Sequence, residues 1–313
     1  MLPSRVYGAD MDDIHLSDES GTTARIAPSV GFCCLSWVVG GREYLHLPVP
    51  EETFRSLPKT GGVPLLYPYA NRLRHDPWPE RPGVKRDHGL PCHGFLLRFP
   101  DWDDLQITAD RAIAILDWAS HPELFQLFPH RHRLSISFAV TAARLRVTTT
   151  IEADGGDDVP ISFGWHPYLS LPGVGREEMT LELPGLERVR LDERGLPRRS
   201  ATDDLLLDPR ATIGGGLAGR SIDDLYRIKE RTDAYRLNGP GASIRMECDE
   251  EWNFMQVYAP ADGDFACLEP MTGAVAALSD GRDHPVLRSG ERFRASFELS
   301  VDQPGQGRRA NAS

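Results

Sequence analysis

Five short stretches of this chain concentrate side chains that can move protons or hold hydroxyl groups. In Phe163-Gly164-Trp165-His166-Pro167-Tyr168 a strand-like pattern ends in a histidine set between aromatic rings and a proline. Imidazole titrates near neutrality, so His166 is a candidate proton donor; the bland alternative is a turn histidine with one backbone hydrogen bond. In Phe265-Ala266-Cys267-Leu268-Glu269-Pro270-Met271-Thr272-Gly273 an apolar run stops at one carboxylate. Partial desolvation raises the pKa of such a group and makes Glu269 a better base near neutral pH, whereas burial against an arginine would make it structural.

The other three stretches look like binding groups. After the apolar approach Pro64-Leu65-Leu66-Tyr67-Pro68-Tyr69-Ala70 come Asn71 and Arg72. An amide offers donor and acceptor together, and a guanidinium a rigid fork of donors, so the two suit vicinal hydroxyls or a developing oxyanion. His93 precedes Gly94, which lets the backbone approach whatever the imidazole touches. Asp223 and Asp224, within Ser221-Ile222-Asp223-Asp224-Leu225-Tyr226, suit either hydroxyl binding or the capping of a turn. A sixth cluster, His130 and His132, has the two-residue spacing that puts both rings on one strand face, as in a cupin-type metal site. The carboxylate such a site wants a few residues later is replaced by Leu134-Ser135-Ile136-Ser137-Phe138, so no metal is expected.

The elements that must position these groups read as strands. Leu134, Ile136, Phe138 and Val140 alternate, Ala142-Ala143 can turn, and Leu145, Val147, Thr149 and Ile151 alternate again. Strand candidates also run over Gly31–Val38 and Glu43–Leu47 around Gly40-Gly41, over Val159–Phe163 and Phe254–Tyr258, through Ile244, Met246 and Cys248, and from Phe293 to Val301. Helices are expected only as single turns at Glu51–Leu57 and Asp203–Leu207. Many short strands with Gly and Pro turns predict an all-β chain, a large antiparallel sandwich or barrel. No linker divides it, so residues 1–302 are expected to be one domain and 303–313 a disordered tail.

Composition narrows the partners. A formal net charge of −11 repels a phosphate backbone, so no nucleic acid is expected and a neutral small molecule is the easier partner. No apolar run is long enough for a membrane span, and the N-terminus lacks a secretory pattern, so a cytoplasmic location is expected. Five cysteines without a Cys-x-x-Cys spacing suggest free thiols.

In this order and spacing, Asn71-Arg72, His93-Gly94, Gly164-Trp165-His166-Pro167-Tyr168, Asp223 to Tyr226 and Glu269-Pro270-Met271-Thr272-Gly273 resemble the aldose 1-epimerase (galactose mutarotase-like) family, from about Gly31 to Val301. The resemblance implies a galactose mutarotase-like supersandwich whose concave face holds a free sugar, with no metal and no organic cofactor. It further implies Glu269 as base on the anomeric hydroxyl, His166 as acid on the ring oxygen, His93 assisting there or binding the sugar, and Arg72 and Asp223 holding hydroxyls, with Asn71 beside them. Trp165 and Tyr168 become candidate walls for the apolar face of a sugar ring, the alternative for either being a place in the core. The family commonly has an apolar pair and then Arg after His-Gly; here Arg98 comes one residue late and receives no role. The expected activity is interconversion of the anomers of a free aldohexose by a monomer or homodimer. Two alternatives keep the fold: a hexose 6-phosphate substrate, for which Arg74, Lys85 and Arg98 supply cations, and a carbohydrate-binding or sensing protein without turnover.

Overall fold

The computed structural model describes residues 11–57, 59–77, 84–154, 156–231 and 234–302; the stretch 303–313 lies outside them. Period-2 alternation has become two facing sheets. The larger has nine strands, in the order Gly215–Gly216, Thr180–Glu182, Tyr235–Gly239, Ala242–Cys248, Arg292–Asp302, Arg144–Ala153, His132–Thr141, Arg111–Asp117 and Asp104–Ile107. Its long central hairpin turns at Ala142-Ala143, where φ is 45° and 65°, the left-handed pair that a tight two-residue hairpin requires. Leu134, Ile136, Phe138, Leu145, Val147 and Ile151 are fully buried on its inner face.

The second sheet, of seven strands, runs Leu186–Arg188, Ile222–Ile228, Phe254–Ala259, Ala266–Met271, Gly164–Trp165 and Leu65–Leu66, with Tyr168–Leu169 also pairing Ala266–Met271. Met255, Val257, Leu268 and Trp165 belong to the hydrophobic core shared with the nine-stranded sheet. The antiparallel register opposes Glu269 to Gln256, Cys267 to Tyr258, Tyr258 to Asp223, and Tyr168 to Cys267. Because side chains alternate between faces, these six residues share the face turned away from the core. A four-stranded sheet over Ile14–Glu43 completes the sandwich, with its tight turn at Gly40-Gly41 as expected.

Several expectations require correction. Glu51–Ser56 is a helix, but Leu205 and Leu207 instead bridge Arg199 and Val189, so residues 205–207 are extended. Hydrogen bonds joining Ser200, Thr202 and Asp204 form a turn, and Asp203 has φ 68°, which a helix excludes. Of the strand expected at Glu43–Leu47, only Arg42–Glu43 pairs in the ladder, while Leu45 bridges Leu169. His130 and His132 are occupied by the protein itself. His132 Nε2 shares a hydrogen bond with the Tyr67 hydroxyl at 2.6 Å, its Nδ1 meets the His130 carbonyl at 2.7 Å, and His130 Nδ1 meets the Asp158 carbonyl at 2.8 Å. Among the described residues no helix is long and apolar enough to cross a membrane.

Candidate active site

The apolar approach residues bring distant segments together through backbone pairing. Leu65–Leu66 pairs with Gly164–Trp165, Ala70 N–H donates to Ser162 O at 2.8 Å, and Arg72 bridges Cys92. Asn71 and His93 then lie side by side. His93 N–H donates to Asn71 O at 2.9 Å, and Asn71 N–H donates to His93 Nδ1 at 3.3 Å. Both have left-handed backbone, φ 59° and 68°, which Asn and His adopt more readily than most residues. Gly94 makes the approach possible, though against a different partner from the one its position suggested. A Cβ there would stand 2.0 Å from the Tyr67 carbonyl oxygen, so the glycine admits the neighbouring backbone rather than a ligand.

At the floor of the cavity His166 Nε2 lies 3.3 Å from Glu269 Oε1. Glu269 is 1% exposed and His166 5%. Burial pushes the Glu269 carboxyl well above the usual carboxylate range, and the nearby Asp223 adds to the rise; Lys85 and Arg72 oppose it. Burial likewise drives the His166 imidazole well below its ordinary value, with Lys85 acting in the same direction. Both shifts favour the uncharged pair, a protonated carboxyl beside a neutral imidazole, over carboxylate with imidazolium, and either form carries one proton to exchange. Among the described residues, Glu269 Oε2 and His166 Nδ1 are buried with no hydrogen-bond partner, a feature of the kind found at functional sites. His93 packs edge-on to His166, with ring centroids 5.4 Å apart. Burial also holds it well below the usual imidazole range. Its Nδ1 accepts from Asn71, so the neutral ring carries its proton on Nε2.

Arg72 forms the next wall. Its Nη1 donates to Asn71 Oδ1 at 3.1 Å, and its Nη2 pairs with Asp87 and lies 3.8 Å from Asp223 Oδ2. Gln256 Nε2 donates to Asp223 Oδ1 at 2.6 Å. Asp223 is thus the member of the acidic pair that lines this cavity. Asp224 is engaged instead by Arg188 at 2.5 Å and by the Tyr226 hydroxyl at 3.3 Å. The cavity measures about 350 Å³ and brings together Asn71, Arg72, His93, His166, Tyr168, Asp223 and Glu269, a size at the small end of ligand sites.

Trp165 is not among them. Adjacent strand residues point to opposite faces, and since His166 faces the cavity, Trp165 enters the core. There it packs on Phe138 and Phe297, and its Nε1 donates to Thr149 Oγ1 at 2.9 Å. Tyr168, two residues beyond Trp165's neighbour, lines the cavity but offers no free flat face. Its ring stacks on His166 at 4.6 Å and leans on Phe265 at 5.2 Å, while its hydroxyl shares a hydrogen bond with Thr60 at 2.7 Å. It props the imidazole. Sequence reasoning missed Gln256, Tyr258 and Thr60, which also line the cavity. The only signal for Gln256 was a lone amide between Met255 and Val257 in an otherwise apolar strand.

A family model for aldose 1-epimerase matches residues 12–300. The chain belongs to the aldose 1-epimerase family. An Escherichia coli (strain K12) protein, YphB, is 27% identical over 218 residues, covering 64% of this chain and 73% of its own length. Among solved structures, the Slr1438 protein of Synechocystis sp. PCC 6803 superposes with a TM-score of 0.73 at 22% identity, covering 97% of this chain and 99% of that one. A galactose mutarotase-like protein from Clostridium acetobutylicum gives 0.75 at 19% identity, covering 91% and 93%. The fold of this family member is accordingly the galactose mutarotase-like β-sandwich, as its motifs implied.

Proposed function

We propose that this family member is an aldose 1-epimerase that interconverts the α and β anomers of a free aldohexose. The observation that carries the reading is the buried Glu269–His166 contact at 3.3 Å on a cavity floor. Anomerisation needs one proton removed from O1 and one delivered to O5, two oxygens bonded to the same carbon. Glu269 takes the O1 proton as the O1–H electron pair becomes the second C1–O1 bond and the C1–O5 bond breaks with its pair on O5; His166 supplies the proton to O5. Rotation about C1–C2 and the reverse transfers yield the other anomer.

The pair's proton count suits this cycle. Carboxylate with imidazolium precedes ring opening, and carboxylic acid with neutral imidazole follows it, with one proton in both. Burial favours the second form. A sugar donating O1–H to the carboxylate and accepting at O5 favours the first; Arg72 stabilises the Glu269 anion, while Lys85 stabilises that anion but opposes the imidazolium. His93 supplies a neutral N–H donor, and Arg72 with Asp223 suits neighbouring hydroxyls.

Two alternatives are less well supported. Of the three cations considered for a 6-phosphate, Arg74 is held by Asp280 through bonds of 2.6 and 2.8 Å, and Arg98 binds the carbonyls of Leu97, Phe54 and Lys59. Of these three, Lys85 alone lines the cavity, beside Arg72 and Arg86. A binding protein without turnover would have no use for an acid and a base buried in contact. NMR of freshly dissolved α-glucose, α-galactose and glucose 6-phosphate tests the proposal: enzyme-dependent equilibration of a free hexose is expected, and none with any free hexose overturns it.

A further inference from the structure

Arg72 is buried in the cavity wall, and a buried guanidinium needs acceptors close by. Two carboxylates compete for it. Asp87 pairs with Arg72 Nη2, while Asp223 Oδ2 stands 3.8 Å from the same nitrogen, at the outer edge of ion-pair range. Asn71 Oδ1 occupies Nη1 at 3.1 Å. Gly195, at the tip of the stretch 188–208, closes the side beyond Nη1, where a Cβ would stand 2.4 Å away. The guanidinium is thus confined, and the carboxylate it meets decides what the wall offers a ligand. The hairpin that carries Asp87 is docked for this contact. Arg86–Asp87 pairs with Leu90–Pro91, Asp87 opposite Leu90, across a two-residue turn in which His88 and Gly89 have φ 48° and 72°, the left-handed pair of a tight hairpin. Its returning strand lies on the Arg72 segment: Leu73 N–H donates to Pro91 O at 3.0 Å, Arg72 bridges Cys92, and Cys92 N–H donates to Lys85 O at 2.8 Å. Backbone pairing therefore fixes Asp87 beside Arg72, whereas Asp223 is held from the neighbouring strand by Gln256 Nε2 at 2.6 Å.

We propose that Asp87 is a positioning residue, which holds the Arg72 guanidinium away from Asp223 so that a donor and an acceptor both stay open to hydroxyl groups. The inference rests on the mutarotase reading above and adds to it a residue outside the five motifs. Arginine and aspartate at 3.8 Å, with no other claim on the arginine, would close into a two-point ion pair. Each would then satisfy the other, and both would be lost to the ligand. Asp87 prevents this by taking Nη2 first, from a hairpin whose place is set by its backbone bonds to the Arg72 segment.

The test measures kcat and KM for α-glucose and α-galactose by polarimetry in the wild type, Asp87→Ala, Asp87→Asn, Asp87→Glu, Asp223→Asn and each of the first two combined with Asp223→Asn. Groups that hold hydroxyls away from the reacting carbon bind ground and transition states alike. Asp87→Ala should therefore raise KM by about tenfold, the value of one hydrogen bond to a charged group, and leave kcat within about twofold of wild type. Asp87→Asn keeps an acceptor without the charge, so it should move KM the same way by less; it carries the test if urea unfolding shows Asp87→Ala to be unfolded. Asp87→Glu restores the charge and should bring KM back to within about threefold of wild type. An Arg72 closed on Asp223 has already withdrawn both groups, so adding Asp223→Asn to either Asp87 variant should raise KM by no more than about twofold, where independent roles would multiply. A wild-type KM in the folded Asp87 variants, a loss confined to kcat, or multiplicative losses in the double variants overturns the inference and leaves the mutarotase reading standing. Absence of wild-type turnover with every free hexose overturns both.

Discussion

If Glu269 and His166 share one proton, losing either should cost almost as much as losing both. Glu269→Gln is nearly isosteric and removes the acceptor for the O1 proton; His166→Gln removes the donor to O5. A positioned acid or base contributes about 10²–10⁴ in rate, or about 2.7–5.4 kcal/mol, so each single variant should lose that much in kcat. Independent contributions would multiply in the double variant to about 10⁴–10⁸. Contact at 3.3 Å within one proton relay predicts instead a double variant no more than about tenfold below the worse single. Polarimetry on α-glucose measures all three. Stability separates lost chemistry from lost folding. Folded Glu269 retains its proton above the pH at which the unfolded chain releases it, so wild type loses stability as pH rises through that interval and the Gln variant does not. Urea unfolding should show Glu269→Gln gaining on wild type with rising pH. Multiplicative losses, or a wild-type rate in either single variant, would refute the shared-proton account.

Other expected outcomes concern pH, packing and binding. The rate should be flat through neutral pH with its acid limb below the ordinary imidazole value of about 6.5, because His166 and His93 accept a proton only well below it; a limb centred at 6.5 or above contradicts this. Burial pushes His132 down to about 4, so the unfolded chain takes up its proton first and stability falls as pH drops from about 6.5 toward 4. That loss amounts to about 3 kcal/mol, and urea titrations of His132→Gln should show an acid loss smaller by that amount. Trp165→Phe should cost about 1 kcal/mol through its Thr149 hydrogen bond and leave kcat/KM unchanged, whereas Trp165→Ala should cost about 3–5 kcal/mol by denaturation. Asp223→Asn should raise KM for glucose, and Asp224→Asn should leave it within about twofold, as read from initial rates.

Much of the candidate site was legible because its groups have unusual neighbours, although Glu269 lies inside the strand Ala266–Met271 rather than at its end. Gly164, Pro167 and Pro270 set His166 and Glu269 apart from ordinary strand residues. The face each strand residue takes was less legible where both faces are covered. Every residue of Ala266–Met271 is buried, and so are Trp165, His166 and Tyr168, so hydropathy could not separate the core side from the cavity side. Only the pairing register resolved it, removing Trp165 and bringing in Gln256. The apolar run Leu205-Leu206-Leu207 failed for a related reason. Consecutive leucines carry no period, and the deciding partners, Arg199 and Val189, lie too far along the chain for local patterning to reveal.

The stretch 188–208 borders a cavity of about 610 Å³ that shares Arg72, His88 and Asp223 with the candidate site, yet it supplies neither Glu269, His166 nor His93. The titratable groups of the candidate site and this neighbouring surface are thus written in separate passages of sequence. Substitutions or length changes between Val189 and Leu207 offer descent a way to reshape that surface while the strands that carry Glu269 and His166 are inherited intact.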